Sequence, residues 1–159
     1  MIEIDRISDT EIAPVLDLVR DSITRLAADH YSTTQIDSWV DQYPSPDEFA
    51  RWRNRREMLV AREHGIPIGF GQIEINRREI VGVHVMPSRA RRGVGKQIVT
   101  ALEAIGIEAG ITEMVVQSSI NAVEFYRHCG YQLVETIEFR LSNGAKLEAK
   151  LMHKNISLN

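Results

Sequence analysis

The chain has 159 residues, with 19 Lys+Arg against 22 Asp+Glu and a net charge of −3. That length fits one domain, and the charge argues against electrostatically driven nucleic-acid binding. Apolar residues at 43% and charged residues at 26% exclude a disordered or fibrous chain, and the one cysteine, Cys129, excludes an internal disulfide or a cysteine-cluster zinc site.

Ile2 and Ile4 alternate with Glu3 and Asp5, which predicts a short first strand with one buried face. The same N-terminus has neither a basic region nor a long apolar run, and no stretch approaches the roughly 20 apolar residues of a membrane span. A cytoplasmic protein without a metal is expected. Ser8-Asp9-Thr10-Glu11 has the spacing of a capping box, and Ile12, Leu16, Val19, Ile23 and Leu26 follow at intervals of four and three, one face of a helix. Ser32-Thr33-Thr34-Gln35 opens a second, short helix, and Pro44 and Pro46 precede a third over residues 47 to about 54.

From Glu57 onward the period shortens to that of strands. Residues 58–61 lead through a His64-Gly65 turn into residues 66–75. A second turn at 76–78 leads into residues 80–85, which Pro87 ends. Two consecutive hairpins make this part antiparallel. An amphipathic helix carrying Ile98, Leu102 and Ile105 stops at Gly110. Met114-Val115-Val116 reads as a strand buried on both faces. A helix from about Asn121 to Gly130 and a last hairpin turning at Asn143-Gly144 complete the chain. The expected fold is one mixed α/β (α+β) domain over residues 1–159.

The segment most informative about chemistry runs from Val83-His84-Val85 through Met86-Pro87 into Arg89-Ala90-Arg91-Arg92-Gly93-Val94-Gly95-Lys96. A strand stops at a proline, a basic loop follows, and glycines open a helix. Glycines let backbone N–H groups approach a ligand, and the helix N-terminus adds positive partial charge. Together with the cationic side chains they make a cradle for pyrophosphate. The spacing is neither a Walker loop nor a dinucleotide fingerprint. The second segment, Asn121-Ala122-Val123-Glu124-Phe125-Tyr126 with Gly130-Tyr131, begins 26 residues after Gly95.

Together the two segments resemble the GNAT superfamily of N-acetyltransferases. The first is similar to its acetyl-coenzyme A loop, Gln/Arg-x-x-Gly-x-Gly/Ala, after a strand ending Val-x-Pro. The second is similar to its Asn-x-x-x-x-Tyr element with the ending Phe-Tyr-x-x-x-Gly-Tyr/Phe. The likeness covers residues 58 to about 134. Ala90 stands where the family has Gln or Arg; backbone groups supply much of the cradle, so binding is expected to survive.

The resemblance implies a mostly antiparallel sheet of about seven strands flanked by helices, with central strands splayed at the cofactor. It implies that acetyl-CoA pairs with the backbone of Val83, His84 and Val85. Arg91, Arg92, Gly93, Val94, Gly95 and Lys96 would hold its pyrophosphate, and Asn121 would meet its pantetheine arm. Asn121 reads equally as a helix cap completed by Glu124. Tyr126 matches the tyrosine that protonates the departing thiolate, a reasonable transfer for a phenol near pKa 10.

The acceptor amine must react as the free base, so a proton acceptor is needed. Glu79 lies six residues before Val85, the count that reaches the glutamate base in the histone-acetyltransferase branch of the family. Glu74 and His84 come next. Glu79 also follows a turn rich in arginine, where a surface ion pair is an equally ordinary reading. For the acceptor pocket, Tyr31, Asp37 and Trp39 could hold a cation by an aromatic face and a negative charge, although Trp39 could as well be core.

The implied activity is acetylation of a primary amine of a small molecule or peptide by direct attack in a ternary complex. A silent acetyl-CoA-binding module and an acetyltransferase acting on a macromolecule are the alternatives. The resemblance leaves a homodimer open; neither a nucleic-acid nor a membrane partner is expected.

Overall fold

A computed structural model describes residues 1–157. Seven strands form one sheet in the order β1-β2-β3-β4-β5-β7-β6. They are β1 (Ile2–Arg6), β2 (Glu57–Glu63), β3 (Ile66–Glu74), β4 (Glu79–Val85), β5 (Glu113–Ser119), β6 (Gln132–Arg140) and β7 (Lys146–Asn155). The helices are α1 (Ile12–Leu26), α2 (Thr33–Val40), α3 (Pro46–Arg51), α4 (Val94–Glu108) and α5 (Val123–His128). Every strand pair is antiparallel except β4 with β5.

The local chemistry explains the turns. His64 (φ 52°) and Gly65 (φ 77°) both take left-handed backbone, the requirement of a two-residue hairpin matched to strand twist. Ser8 and Ser32 each close a capping box, Ser8 on a single 3-10 turn before α1 and Ser32 on α2 itself. Pro14 sits in the first turn of α1, where its missing N–H has no intrahelical partner to lose.

Each face of the sheet carries its own core. Ile73, Ile80, Ile98, Leu102, Met114 and Met152 pack on the α4 side. Val15, Leu16, Val19, Phe49, Phe70 and Leu147 pack on the side of α1, α2 and α3. The expectation that β5 is buried on both faces is corrected. Met114, Val116 and Ser118 are buried while Val115 and Gln117 are only partly covered, so one face of β5 is less deeply packed than the other.

A gap in the sheet comes from β4. Gln72 pairs with Gly82 and Ile73 with Ile80, so Val81 is an extra residue that bulges β4 against β3. A bulge bends its strand and raises the local twist. Past it, β4 diverges from β5: their parallel pairing is confined to Glu79 with Val115 and Ile80 with Val116. β3 stays paired with β4 out to Val85, so the other edge of residues 81–85 faces the gap without a strand partner.

Candidate active site

The gap opens into a cavity of about 650 Å3, within the usual size range for a small-molecule site. Residues 81–85 of β4 form one wall, residues 116–119 of β5 with Asn121, Phe125 and Tyr126 the facing one. The start of α4 closes one end. Ser22, Arg25 and Leu26 from the end of α1, Asp29 and His30 just after it, and Trp39 and Tyr43 form the other.

At the α4 end, Gly93 is the N-cap, with φ 83°. A Cβ there would project into open space, so the position is strained for other residues by its backbone and not by crowding. Two residues on, Gly95 is short of room: a Cβ would lie 2.8 Å from the Phe125 ring. This contact lets α4 start directly against α5. Arg91 holds a left-handed backbone, φ 63°, an uncommon conformation for a side chain of this size.

Of the cationic side chains, Arg89, Arg91 and Lys96 line the cavity. Arg92 is not on its wall; its guanidinium lies 3.8 Å from Glu63, which also binds Arg89 Nε at 2.9 Å. The Arg89 hydrogen bond holds the Glu63 carboxyl below its ordinary pKa. Glu63 therefore anchors the loop from β2. Val83, His84 and Val85 line the cavity along the unpaired edge, as do Val94 and Ala90.

Asn121 is not a helix cap. The chain leaves β5 through Ser119 into a 3-10 turn, Ile120–Ala122, and α5 begins only at Val123. Asn121 Oδ1 is buried at the cavity and has no hydrogen-bond partner. Such a group carries the full cost of lost hydration, which a ligand donor would relieve. Tyr126 is 4% exposed and lines the same wall. Burial raises the pKa of its phenol, so it stays protonated and is available as a donor. Cys129, behind it, is buried with its thiol pKa raised by burial, the opposite of an activated nucleophile.

The remaining expected residues separate. Glu79 is buried, but its carboxylate lies outside the cavity lining. Gln117 Nε2 donates to it at 3.3 Å and Arg77 Nε lies 3.4 Å away. Burial outweighs the arginine and raises its pKa. Gln117, not Glu79, is the residue on the cavity wall.

Tyr31 is corrected from acceptor residue to brace. Its hydroxyl donates to Glu148 O at 2.6 Å and accepts from Ile120 N at 2.9 Å, tying the α1–α2 segment to β7 and to the turn of Asn121. It is buried and off the cavity. Asp37 is exposed on α2 and also off the cavity. Trp39 alone of the three lines it, edge-on to Tyr31 at 5.8 Å.

Sequence reasoning missed Tyr43, which lines the cavity with its hydroxyl 3.2 Å from His84 Nε2. No pattern marks it, because it stands in an irregular segment before Pro44. The stripe Ser22, Arg25 and Leu26 was findable: it runs along the last turns of α1 at helical spacing.

The chain matches a family model described as "Acetyltransferase (GNAT) domain" over residues 27–144, and it belongs to the GNAT acetyltransferase family. Among curated relatives, the uncharacterized N-acetyltransferase YafP of Escherichia coli (strain K12) is 33% identical over 119 residues, 72% of this chain and 70% of that protein. Among solved structures, a GCN5-related N-acetyltransferase from Rhodopseudomonas palustris superposes with a TM-score of 0.90 at 27% identity, covering 96% of this chain and 94% of the other. PaiA N-acetyltransferase from Thermoplasma acidophilum, crystallised with coenzyme A, has a TM-score of 0.81 at 23% identity, covering 98% and 99%. The chain is thus an acyltransferase. No helix among the described residues is long and apolar enough to cross a membrane, and no group of metal-ligating side chains occurs among them.

Proposed function

We propose that the protein transfers an acetyl group from acetyl-coenzyme A to a primary amine of a small molecule or peptide, by direct attack without an acyl-enzyme. The observation that carries this reading is the free edge of residues 81–85, facing a cavity that runs to the N-terminus of α4. An extended amide-bearing arm can pair with such an edge as a strand would. The unpartnered Oδ1 of Asn121 fits a donor on the same arm. The backbone N–H groups around residues 93–96, with Arg89, Arg91 and Lys96 on the same wall, fit a pyrophosphate. Acetyl-CoA bound there supplies an activated thioester and departs as the thiol.

Tyr126 Oη donates the proton that the departing sulfur requires. The buried, un-ionised thiol of Cys129 supports transfer straight to the acceptor. Glu79, one side chain behind the wall, reaches an amine only through water passing Gln117, so a carboxylate base there acts indirectly.

The test is release of free thiol from acetyl-CoA with phenethylamine, spermidine, lysine and a short peptide bearing a free N-terminus. Release above the hydrolysis rate with at least one amine is expected. Binding of acetyl-CoA with no release from any of them would replace this reading by that of a silent module. Tyr126→Phe is expected to lower kcat on the order of 100-fold while leaving the Kd for coenzyme A unchanged. Unchanged turnover removes Tyr126 from the reaction.

A further inference from the structure

The cavity holds a pair of proton-handling side chains that the family motifs do not include. Tyr43 comes from the irregular segment between α2 and α3, His84 from the splayed half of β4. The Tyr43 hydroxyl lies 3.2 Å from His84 Nε2, and the two rings meet edge to face at 6.1 Å. The imidazole folds back along its own strand over Gly82: a Cβ on Gly82 would sit 3.2 Å from Nε2. Any larger residue at 82 would displace the ring. The pair therefore occupies the centre of the divergence, next to the bulge at Val81, and reaches the cavity from the β4 side. Tyr126 reaches it from α5, beyond β5.

The surroundings fix the charge state of both groups. Tyr43 stands among the rings of Phe49 and Trp52, at 6.4 and 5.9 Å. Loss of water pushes its phenol up to about 12, against a smaller downward pull from Arg56. Loss of water also pushes His84 down to about 4, with no charged neighbour contributing. Around neutral pH the phenol is protonated and the imidazole neutral. The 3.2 Å contact can then run in either direction, and a relay needs the one in which Tyr43 donates to Nε2 and the imidazole proton resides on Nδ1. The Phe49 and Trp52 rings hold the phenol, and the Arg56 guanidinium lies over Trp52 at 4.8 Å. The imidazole contacts the Tyr43 phenol and the Gly82 backbone; the charged groups on the same cavity walls, Arg25, Asp29, Arg89, Arg91 and Lys96, make no hydrogen bond or ion pair with it.

We propose that Tyr43 and His84 form the proton relay on the acceptor side of the cavity. Tyr43 Oη takes the proton that leaves the amine nitrogen as its bond to the acetyl carbon forms, and passes its own proton to His84 Nε2. The phenol ends neutral and the imidazole is only briefly the cation; burial disfavours that charge, so the proton passes on to solvent as product leaves. The relay rests on the acetyltransferase reading above and gives that reaction its base. It also explains why Glu79 need not reach the cavity. Acid and base then come from opposite walls of the gap: Tyr126 from α5, beyond β5, and the relay from His84 on β4 with Tyr43 from the segment before α3.

The relay is tested on the full chain with whichever of the four amines above gives the fastest thiol release. Tyr43→Phe and His84→Gln are each expected to lower kcat by about 100-fold with the KM for acetyl-CoA unchanged. The double variant should be no slower than the slower single one, because the two groups move one proton. A single variant retaining kcat within threefold, or losses that multiply in the double variant, overturns the relay. Nitrogen NMR of His84 gives a readout independent of turnover. The Nδ1–H tautomer is expected at pH 7, and the Nε2–H tautomer overturns the proposal. Failure of the parent reading looks different, since the wild-type protein would then release no thiol with any amine.

Discussion

At the scale of single residues, Asn121 shows how a local misfit marks a site. Its Oδ1 is removed from water and left without a donor, a situation that costs about 1–3 kcal/mol in a free protein. Asn121→Leu keeps the approximate shape and removes the orphan acceptor. The variant is expected to melt several degrees higher without ligand, on a scale of about 2–4 °C per kcal/mol at this size. It should also lose at least tenfold in affinity for coenzyme A. Thermal melts with and without coenzyme A check both halves, and a lower melting point in the free variant would show that the side chain is satisfied in solution. The sequence displayed Asn121 through its spacing to Tyr126 but left the cap and ligand readings equal. The choice depended on where the 3-10 turn over 120–122 directs the side chain, which no spacing encodes. Tyr43 is the harder case. A single tyrosine before a proline has no periodicity, and its partner is 41 residues away.

Among the elements, the turn that carries Asn121 is held from outside its own strand and helix. Tyr31 joins it to β7 through two hydrogen bonds on one hydroxyl. Tyr31→Phe leaves Ile120 N and Glu148 O without that partner, so a loss of about 1–3 kcal/mol is expected. The melting point should fall by roughly 2–10 °C, and coenzyme A should bind more weakly because the turn is looser. The KM for the amine is expected to stay constant once the donor is saturating. A selective rise in that KM would return Tyr31 to the acceptor pocket. Strand and helix order was legible in the sequence because each element has its own period and stop: the left-handed turn at 64–65, the capping boxes at Ser8 and Ser32, and Gly110 after α4. The bulge at Val81 was not legible. It follows from how β3 and β4 register against each other, and nothing in Ile80-Val81-Gly82 singles out the extra residue. That one shift nonetheless creates the free strand edge and the cavity.

Over the whole molecule, the buried ionisable groups set how stability depends on acidity. In the unfolded chain His84 takes up a proton below its ordinary 6.5, whereas in the fold it stays neutral down to about 4. Between those values the unfolded state binds more protons, so stability falls as pH drops from 6.5 toward 4, by up to about 3 kcal/mol. Glu11 acts in the same direction lower down. The Arg62 guanidinium, at 2.6 Å from Oε1, holds its carboxyl at about 2 against an ordinary 4.5. The link from the start of α1 to β2 is therefore lost as pH falls from 4.5 toward 2. Glu79 opposes both: its raised pKa means the fold keeps a proton that the unfolded chain releases, so its contribution declines as pH rises above 4.5. The expected profile is a shoulder between pH 6.5 and 4 and a steeper loss below 4.5, readable from urea midpoints taken at half-unit intervals. His84→Gln removes the group that titrates in the upper interval, and its midpoint should no longer fall as pH drops from 6.5 to 5. An unchanged slope in that variant would mean that His84 is hydrated and already protonated near its ordinary value. The Tyr43–His84 contact would then be open to water and not the desolvated pair that the relay requires, so the same urea midpoints that report on the fold also test the relay.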